Sequence, residues 1–207
     1  MKVFVVGGSG MLGTDLVAEL SRRGHEPIAP APEDLDISDP VSVADIPLMA
    51  EGAKWCLNCA AYTAVDKAEE ERDLAYLVNT IGPGYLAGAC AFSGMRLMHV
   101  STDFVFDGEA SEPYREDQPT NPLGHYGLTK RDGEDSVREV IGDAVIVRTA
   151  ASVAKALLTD DQVSARVRAD LSMKVLDRAG HTTPTKSNKD SQLAKPLAEM
   201  SQAELLA

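Results

Sequence analysis

Residues 6–13 read VGGSGMLG and follow the apolar run Val3–Val6, so a short buried strand ends in four glycines within seven positions before a helix-like stretch. A chain turning sharply from strand to helix needs positive φ or free space beside the backbone, and glycine, lacking Cβ, supplies both. The helix start beyond it offers N–H groups without internal partners and a partial positive charge, which together seat a pyrophosphate. Gly7-x-x-Gly10-x-x-Gly13 and Gly8-x-Gly10-x-x-Gly13 are both present. Their place between strand and helix makes the pattern a dinucleotide fingerprint rather than a plain turn.

The rest of the first 150 residues repeats this alternation. Met11–Arg23 carries Leu12, Leu16 and Leu20 at helical spacing. Further strands are expected at Pro27–Pro30, weakened by its prolines, and at Trp55–Asn58, Arg96–Val100 and Ala144–Val147, with helices at 73–92 and 124–141. Apolar strands alternating with helices imply a Rossmann-type α/β fold, a doubly wound parallel sheet covered on both faces.

Near residue 150 the chain changes character. Residues 1–150 hold 12 basic and 25 acidic side chains, net −13, whereas 151–207 hold 8 and 7, net +1. All the aromatic residues lie at or before Tyr126, and the only glycine of the tail is Gly180. The expected division is a nucleotide-binding domain over 1–150 and a shorter, mainly helical segment over 151–207, where Val163, Val167, Leu171 and Val175 form an apolar stripe. That stripe suits packing on the first domain or an oligomer contact such as a homodimer.

A net charge of −12 argues against nucleic-acid phosphate or anionic lipid as a partner. No apolar run approaches the ~20 residues of a membrane helix. One lysine and a four-residue apolar run do not make a secretory signal, so a cytoplasmic setting is expected. Cys56-x-x-Cys59 has redox-pair spacing, but WCLNCAA reads as a buried strand and the cysteines as small apolar residues. His25, His99, His125 and His181 are too scattered to suggest a metal site.

The companion expected after a second strand is a carboxylate for the adenosine ribose. Here HEPIAPAPEDLDIS offers Ala31 at the strand end, neither an acid for NADH nor an arginine for the 2′-phosphate of NADPH. The choice between the two stays open, with Asp36 the nearby polar candidate and Glu33, Asp34 and Asp39 able to serve as plain surface charges. Tyr126-Gly-Leu-Thr-Lys130 places a phenol and an ammonium on one helix face. A nearby ammonium lowers a phenol pKa, and such a pair suits proton transfer to a carbonyl oxygen during hydride delivery. Ser101-Thr102, expected just after the fourth strand, lies at the edge where open sheets bind ligands.

With these residues in view, the sequence resembles the extended short-chain dehydrogenase/reductases, most closely the dTDP-4-dehydrorhamnose reductases. GGSGMLG (7–13), NCAAYTAVDKAEEERDLAYLVN (58–79), STDFVFDGEASEPYRED (101–117) and NPLGHYGLTKRDGE (121–134) carry the resemblance in family order. It implies reduction of the 4-keto group of a nucleotide-linked deoxysugar by NADPH or NADH. Thr102 and Tyr126 would meet the keto oxygen, Tyr126 as proton donor, and Asp103 would lie beside the substrate. Lys130 would bind the nicotinamide ribose. Gly7, Gly10, Met11, Leu12 and Gly13 would hold pyrophosphate, Asp36 and Ile37 flank adenine, and Ala60, Ala61, Tyr62 and Thr63 line the ribose and nicotinamide side. Phe104 stands where the family often has tyrosine. After Arg148-Thr149 the chain departs from the family pattern and reads AASVAKALLTDDQVSARVRADLS. A shortened sugar-binding portion leaves a second expectation, a non-catalytic NADP-binding module like the regulatory subunits of methionine adenosyltransferase.

Overall fold

A computed structural model describes residues 1–149. The strands are β1 (Lys2–Val6), β2 (Glu26–Ile28), β3 (Ala53–Asn58), β4 (Arg96–Thr102) and β5 (Val145–Thr149). The helices are α1 (Met11–Arg22), α2 (Pro40–Ala44), α3 (Ile46–Met49), α4 (Arg72–Tyr76), α5 (Gly82–Ser93) and α6 (His125–Val140). All neighbouring strands pair in parallel, in the order β2-β1-β3-β4-β5. This is the expected Rossmann-type α/β sheet. The apolar stripe expected at Val163–Val175 and the division near residue 150 fall outside the described residues.

Because parallel crossovers are right-handed, the step from β1 out to β2 and the steps back through β3, β4 and β5 put their helices on opposite faces. Phe4, Val6, Cys56 and Leu97 form one buried cluster with Val43, Ile46, Leu86, Cys90 and Val137 from α2, α3, α5 and α6. Val3, Val5, Trp55, Leu57 and Met98 alternate with those strand residues, are fully buried, and face the other way. The sheet is apolar on both sides, as its continuous hydrophobic runs require.

Three departures from the sequence expectation matter for the site. β2 stops at Ile28, two residues short of Pro30, so Ala31 lies beyond the strand end. β4 runs two residues past Val100, so Ser101 and Thr102 are its last residues, paired with Arg148 and Thr149 of β5. The single helix expected over 73–92 is interrupted by a π-turn, Leu77–Ile81. Its cause is Pro83, which cannot donate to the Asn79 carbonyl and whose ring would strike it in a regular helix. The short helices α2 and α3 were not anticipated. Asp39 caps α2 by accepting a bond from the Val41 amide at 3.0 Å, with Pro40 at the first helical position.

α6 packs against the π-turn at very close range. A Cβ on Gly133 would stand 2.0 Å from the Asn79 carbonyl oxygen, a backbone atom that no rotamer change can clear. Gly133→Ala is therefore expected to lose about 1–3 kcal/mol, from over-packing. A urea titration followed by far-ultraviolet circular dichroism checks this, with Glu139→Ala, at an exposed position of the same helix, as the reference substitution.

Candidate active site

Every strand of a parallel sheet ends at the same edge, and ligands of open α/β sheets bind where the crossovers diverge. Here that point lies between β1 and β3. Gly7 follows β1 with φ +75°, and a Cβ there would come within 2.7 Å of the Ala60 nitrogen on the segment after β3. A Cβ on Gly13 would stand 2.0 Å from the Gly7 carbonyl oxygen. The two glycines thus let β1, the first turn of α1 and the β3 loop meet through backbone alone. Gly10 caps α1 in extended conformation without a side-chain bond, and no acid sits in the first turn. The early amides of Met11, Leu12 and Gly13 remain available as anion donors. The cradle fits a pyrophosphate.

The opposite wall is the loop 59–63. Asn58 accepts the Ala60 amide at 3.0 Å, and its Nδ2 donates to Nδ1 of the buried His99 at 3.0 Å. Burial, then the charges of Lys130 and Arg138, hold the His99 pKa well below its usual value, so the ring is neutral. Asn79, in the π-turn, accepts the Tyr62 amide at 2.9 Å and donates to the Tyr62 carbonyl at 3.0 Å. The Tyr62 hydroxyl donates to Glu71 at 2.7 Å. The backbone of Ala60, Ala61, Tyr62 and Thr63 is thereby fixed beside the cradle. Sequence reasoning gave Asn79 no role. Its signal was the Val-Asn pair just ahead of Gly82-Pro83, where the helix must widen.

The residues named for the adenine side behave differently. Asp36 is exposed and accepts bonds from the Ser38 amide at 2.8 Å and the Ser38 hydroxyl at 2.6 Å. Ile37 is only 4% exposed and lies in the core against Gly82, so its side chain does not face a ligand. The space above Gly82 sets the place of that side chain, and a contact of Ile37 with adenine would come through its backbone.

The chemistry-bearing side chains gather at the end of β4. The Thr102 hydroxyl donates to Asp103 Oδ1 at 3.2 Å, accepts the Phe104 amide at 3.2 Å and stands close enough to the Tyr126 phenol to influence its ionisation. Phe104, 41% exposed, meets the Tyr126 ring edge-on at 5.6 Å. Burial pushes the Tyr126 pKa up, the Thr102 bond opposes this, and the Asp103 charge adds to the rise. The expected depression by Lys130 is not what the protein alone shows. The Lys130 ammonium is 2% exposed and donates to the Val100 carbonyl at 2.8 Å. Burial drops its pKa to about 8, against the opposing influence of Glu134 and Cys59.

Other groups hold α6 in place. Glu69 accepts the His125 amide at 2.6 Å at the helix start, and the Thr80 hydroxyl donates to the Thr129 carbonyl at 2.8 Å. Of the Ser101-Thr102 pair at the sheet edge, Ser101 donates to the buried Glu134 at 2.6 Å. Cys56, Cys59 and Cys90 are free thiols, and burial raises Cys59 to about 12. That agrees with a packing role. Among the described residues, no helix is long and apolar enough to cross a membrane, and no cluster of metal-binding side chains occurs.

With this geometry established, comparison with known proteins is informative. A model of the family described as RmlD substrate binding domain matches residues 1–202. The dTDP-4-dehydrorhamnose reductase of Streptomyces griseus is 49% identical over 147 residues, covering 70% of this chain and 48% of the relative. The enzyme of the same name from Mycobacterium tuberculosis is 40% identical over 153 residues, covering 72% and 49%. A crystal structure of dTDP-4-dehydrorhamnose reductase from Bacillus anthracis in complex with NADP matches with a TM-score of 0.69 at 37% identity, over 72% of this chain and 53% of that one. The Clostridium acetobutylicum structure of that name matches with a TM-score of 0.75 at 34% identity, over 88% and 72%. The chain spans about half the length of the curated relatives it matches.

The buried ammonium has a measurable consequence. A lysine that ionises near pH 8 when folded and near 10.5 when unfolded destabilises the fold below pH 8, and stability recovers as pH rises between those values. Lys130→Met is expected to gain roughly 1–3 kcal/mol at pH 7, with the advantage shrinking as pH approaches the unfolded lysine pKa. Thermal melts of both proteins between neutral and alkaline pH test it.

Proposed function

The chain belongs to the RmlD substrate-binding-domain family, and from that premise we propose that it serves NADPH-dependent reduction of the 4-keto group of a nucleotide-linked deoxysugar. dTDP-4-dehydrorhamnose is the first substrate to test. The observation that carries this reading is the Thr102–Tyr126 hydroxyl pair at the carboxyl edge of the sheet, with Lys130 one helical turn further along α6.

Gly7, Gly10, Met11, Leu12 and Gly13 would hold the cofactor pyrophosphate through backbone at the uncapped start of α1. Ala60, Ala61, Tyr62 and Thr63 would line the ribose and nicotinamide side, and Asp36 keeps an exposed carboxylate for the adenosine end. When bound, the reduced nicotinamide supplies the hydride. Tyr126 gives a proton to the keto oxygen as it gains charge; with its pKa pushed above 10, the phenol is in the donor form at neutral pH. Thr102 aims that phenol and offers a second hydroxyl to the same oxygen. Lys130 takes the nicotinamide ribose, and its positive charge stabilises the phenolate left behind. Asp103 stands beside the sugar. The preference for NADPH over NADH draws on the Bacillus anthracis relative, whose structure is a complex with NADP. A binding module without turnover is the weaker alternative, because the proton-donor set is intact and the named relatives are reductases.

Loss of NADPH absorbance on adding dTDP-4-dehydrorhamnose tests the proposal. Tyr126→Phe should lower turnover by about 100-fold or more while NADPH affinity, read by calorimetry, stays within twofold (about 0.4 kcal/mol). A wild-type chain that binds NADPH but leaves the fresh substrate untouched would overturn the reductase reading.

A further inference from the structure

Glu134 lies two helical turns beyond Tyr126 and one beyond Lys130, on the same face of α6. Its side chain is fully buried and none of its strong contacts is explained by proton donation. One oxygen accepts the Ser101 hydroxyl at 2.6 Å and Arg148 Nε at 2.9 Å; the other accepts Arg148 Nη2 at 2.6 Å and lies 3.2 Å from Arg138. Arg148, on β5, also stacks over Phe106 at 5.1 Å and reaches the Glu116 carbonyl at 3.4 Å. Phe106 in turn stacks on Tyr114 at 4.2 Å. One carboxylate therefore ties α6 to the last residues of β4 and β5, and through Arg148 to the loop after β4. Ser101 is the neighbour of Thr102, so the strand residue that is clamped adjoins the hydroxyl that meets Tyr126.

We infer that Glu134 is a positioning residue: it fixes α6 against the end of β4 so that Tyr126 meets Thr102, and it is the counter-charge of the buried Lys130 ammonium. The inference rests on the reductase reading for its purpose, but its physical content does not. Among the described residues, Lys130 has no carboxylate within salt-bridge distance; its ammonium is bonded to the Val100 carbonyl. The groups that act on it electrostatically are Glu134, four residues on along α6, and Cys59 after β3, while the buried His99 on β4 is kept neutral in part by the Lys130 charge. Of these, only Glu134 is anionic at neutral pH. Burial works against its charge, yet the bonds from Arg148 and Ser101 and the charges of Arg148 and Arg138 outweigh burial and hold its carboxyl below the usual value. It stays ionised through the pH range where Lys130 titrates. Glu134 follows Lys130 by four residues on α6, the spacing that sets two side chains on one helix face, and both are buried there.

The decisive measurement is the Lys130 titration, followed by the ¹³Cε shift of the labelled full chain and assigned by comparison with Lys130→Met. The wild-type midpoint is expected near 8. In Glu134→Gln it should fall by about one unit, a tenfold change in the proton equilibrium. NADPH affinity should then weaken about fivefold at the wild-type midpoint, where the protonated fraction falls from one half to about one eleventh, and much less at pH 6. Ser101→Ala keeps the carboxylate, so it should leave the midpoint alone while lowering kcat with KM unchanged, and Glu134→Asp should recover most of the midpoint without recovering kcat. If Glu134→Gln does not fold, Glu134→Gln/Arg148→Met removes both buried partners and carries the same expectation. An unchanged Lys130 midpoint in the folded variant overturns the inference. Because that titration needs neither cofactor nor sugar, its outcome is independent of whether the wild-type chain oxidises NADPH.

Discussion

The structure depends on backbone meeting backbone at the first bend of the chain. With a Cβ on Gly13 placed 2.0 Å from the Gly7 carbonyl, and one on Gly7 placed 2.7 Å from the Ala60 nitrogen, no other residue lets the strand, helix and loop come together. That contact brings β1 and β3 side by side at the switch in strand order, and it leaves helix amides open at the edge of the sheet. Everything polar in the candidate site is arranged around this junction. Asn58 and Asn79 pin the facing loop, and Thr102 ends the next strand along.

The sequence carried the local signals well and the long-range ones poorly. Continuous apolar runs located β1, β3 and β4 because a strand buried on both faces needs no partner to be recognised, and the run Val145–Val147 located the half-buried β5. The glycine spacing and the Tyr126–Lys130 pair were legible for the same reason, since each is a statement about one turn of chain. β2 was overextended because Ile28-Ala29-Pro30 looks apolar, although Pro30 cannot donate to a ladder. α2 was missed despite Asp39-Pro40, a capping pair that reads equally well as a turn. Ser101-Thr102 was read as one edge of the sheet, and the structure divides the pair: Ser101 serves Glu134, which lies 33 residues away. The Ile37 side chain fills the core above Gly82. No periodicity reports such pairings, because they are set by which helix face lands on which strand end.

One charge of the site is placed where it weakens the fold: burial lowers the Lys130 pKa, whereas the partners of Glu134 outweigh its burial. Lys130 and Glu134 are both buried on α6, and each is held by groups that must be desolvated with it. Hydrophobic residues of similar size are often at least as stable in such places. The tolerance is understandable if a cation is needed beside the phenol at neutral pH, since an exposed lysine would be screened and free to swing away. A pKa of about 8 leaves Lys130 mostly cationic at pH 7 with little to spare. The neutral His99 adds no second positive charge, and it orients Asn58 toward the loop 59–63 instead.

The π-turn Leu77–Ile81 has a consequence for how this fold could vary. A widened turn holds one residue more than a regular helix needs, and each residue rotates the helix by about 100°. Removing that surplus would keep the helix count, the strand order and the core intact, yet it would swing the Asn79 amide off the Tyr62 backbone. A length change of one residue, invisible in any inventory of strands and helices, thus decides whether the loop 59–63 is pinned.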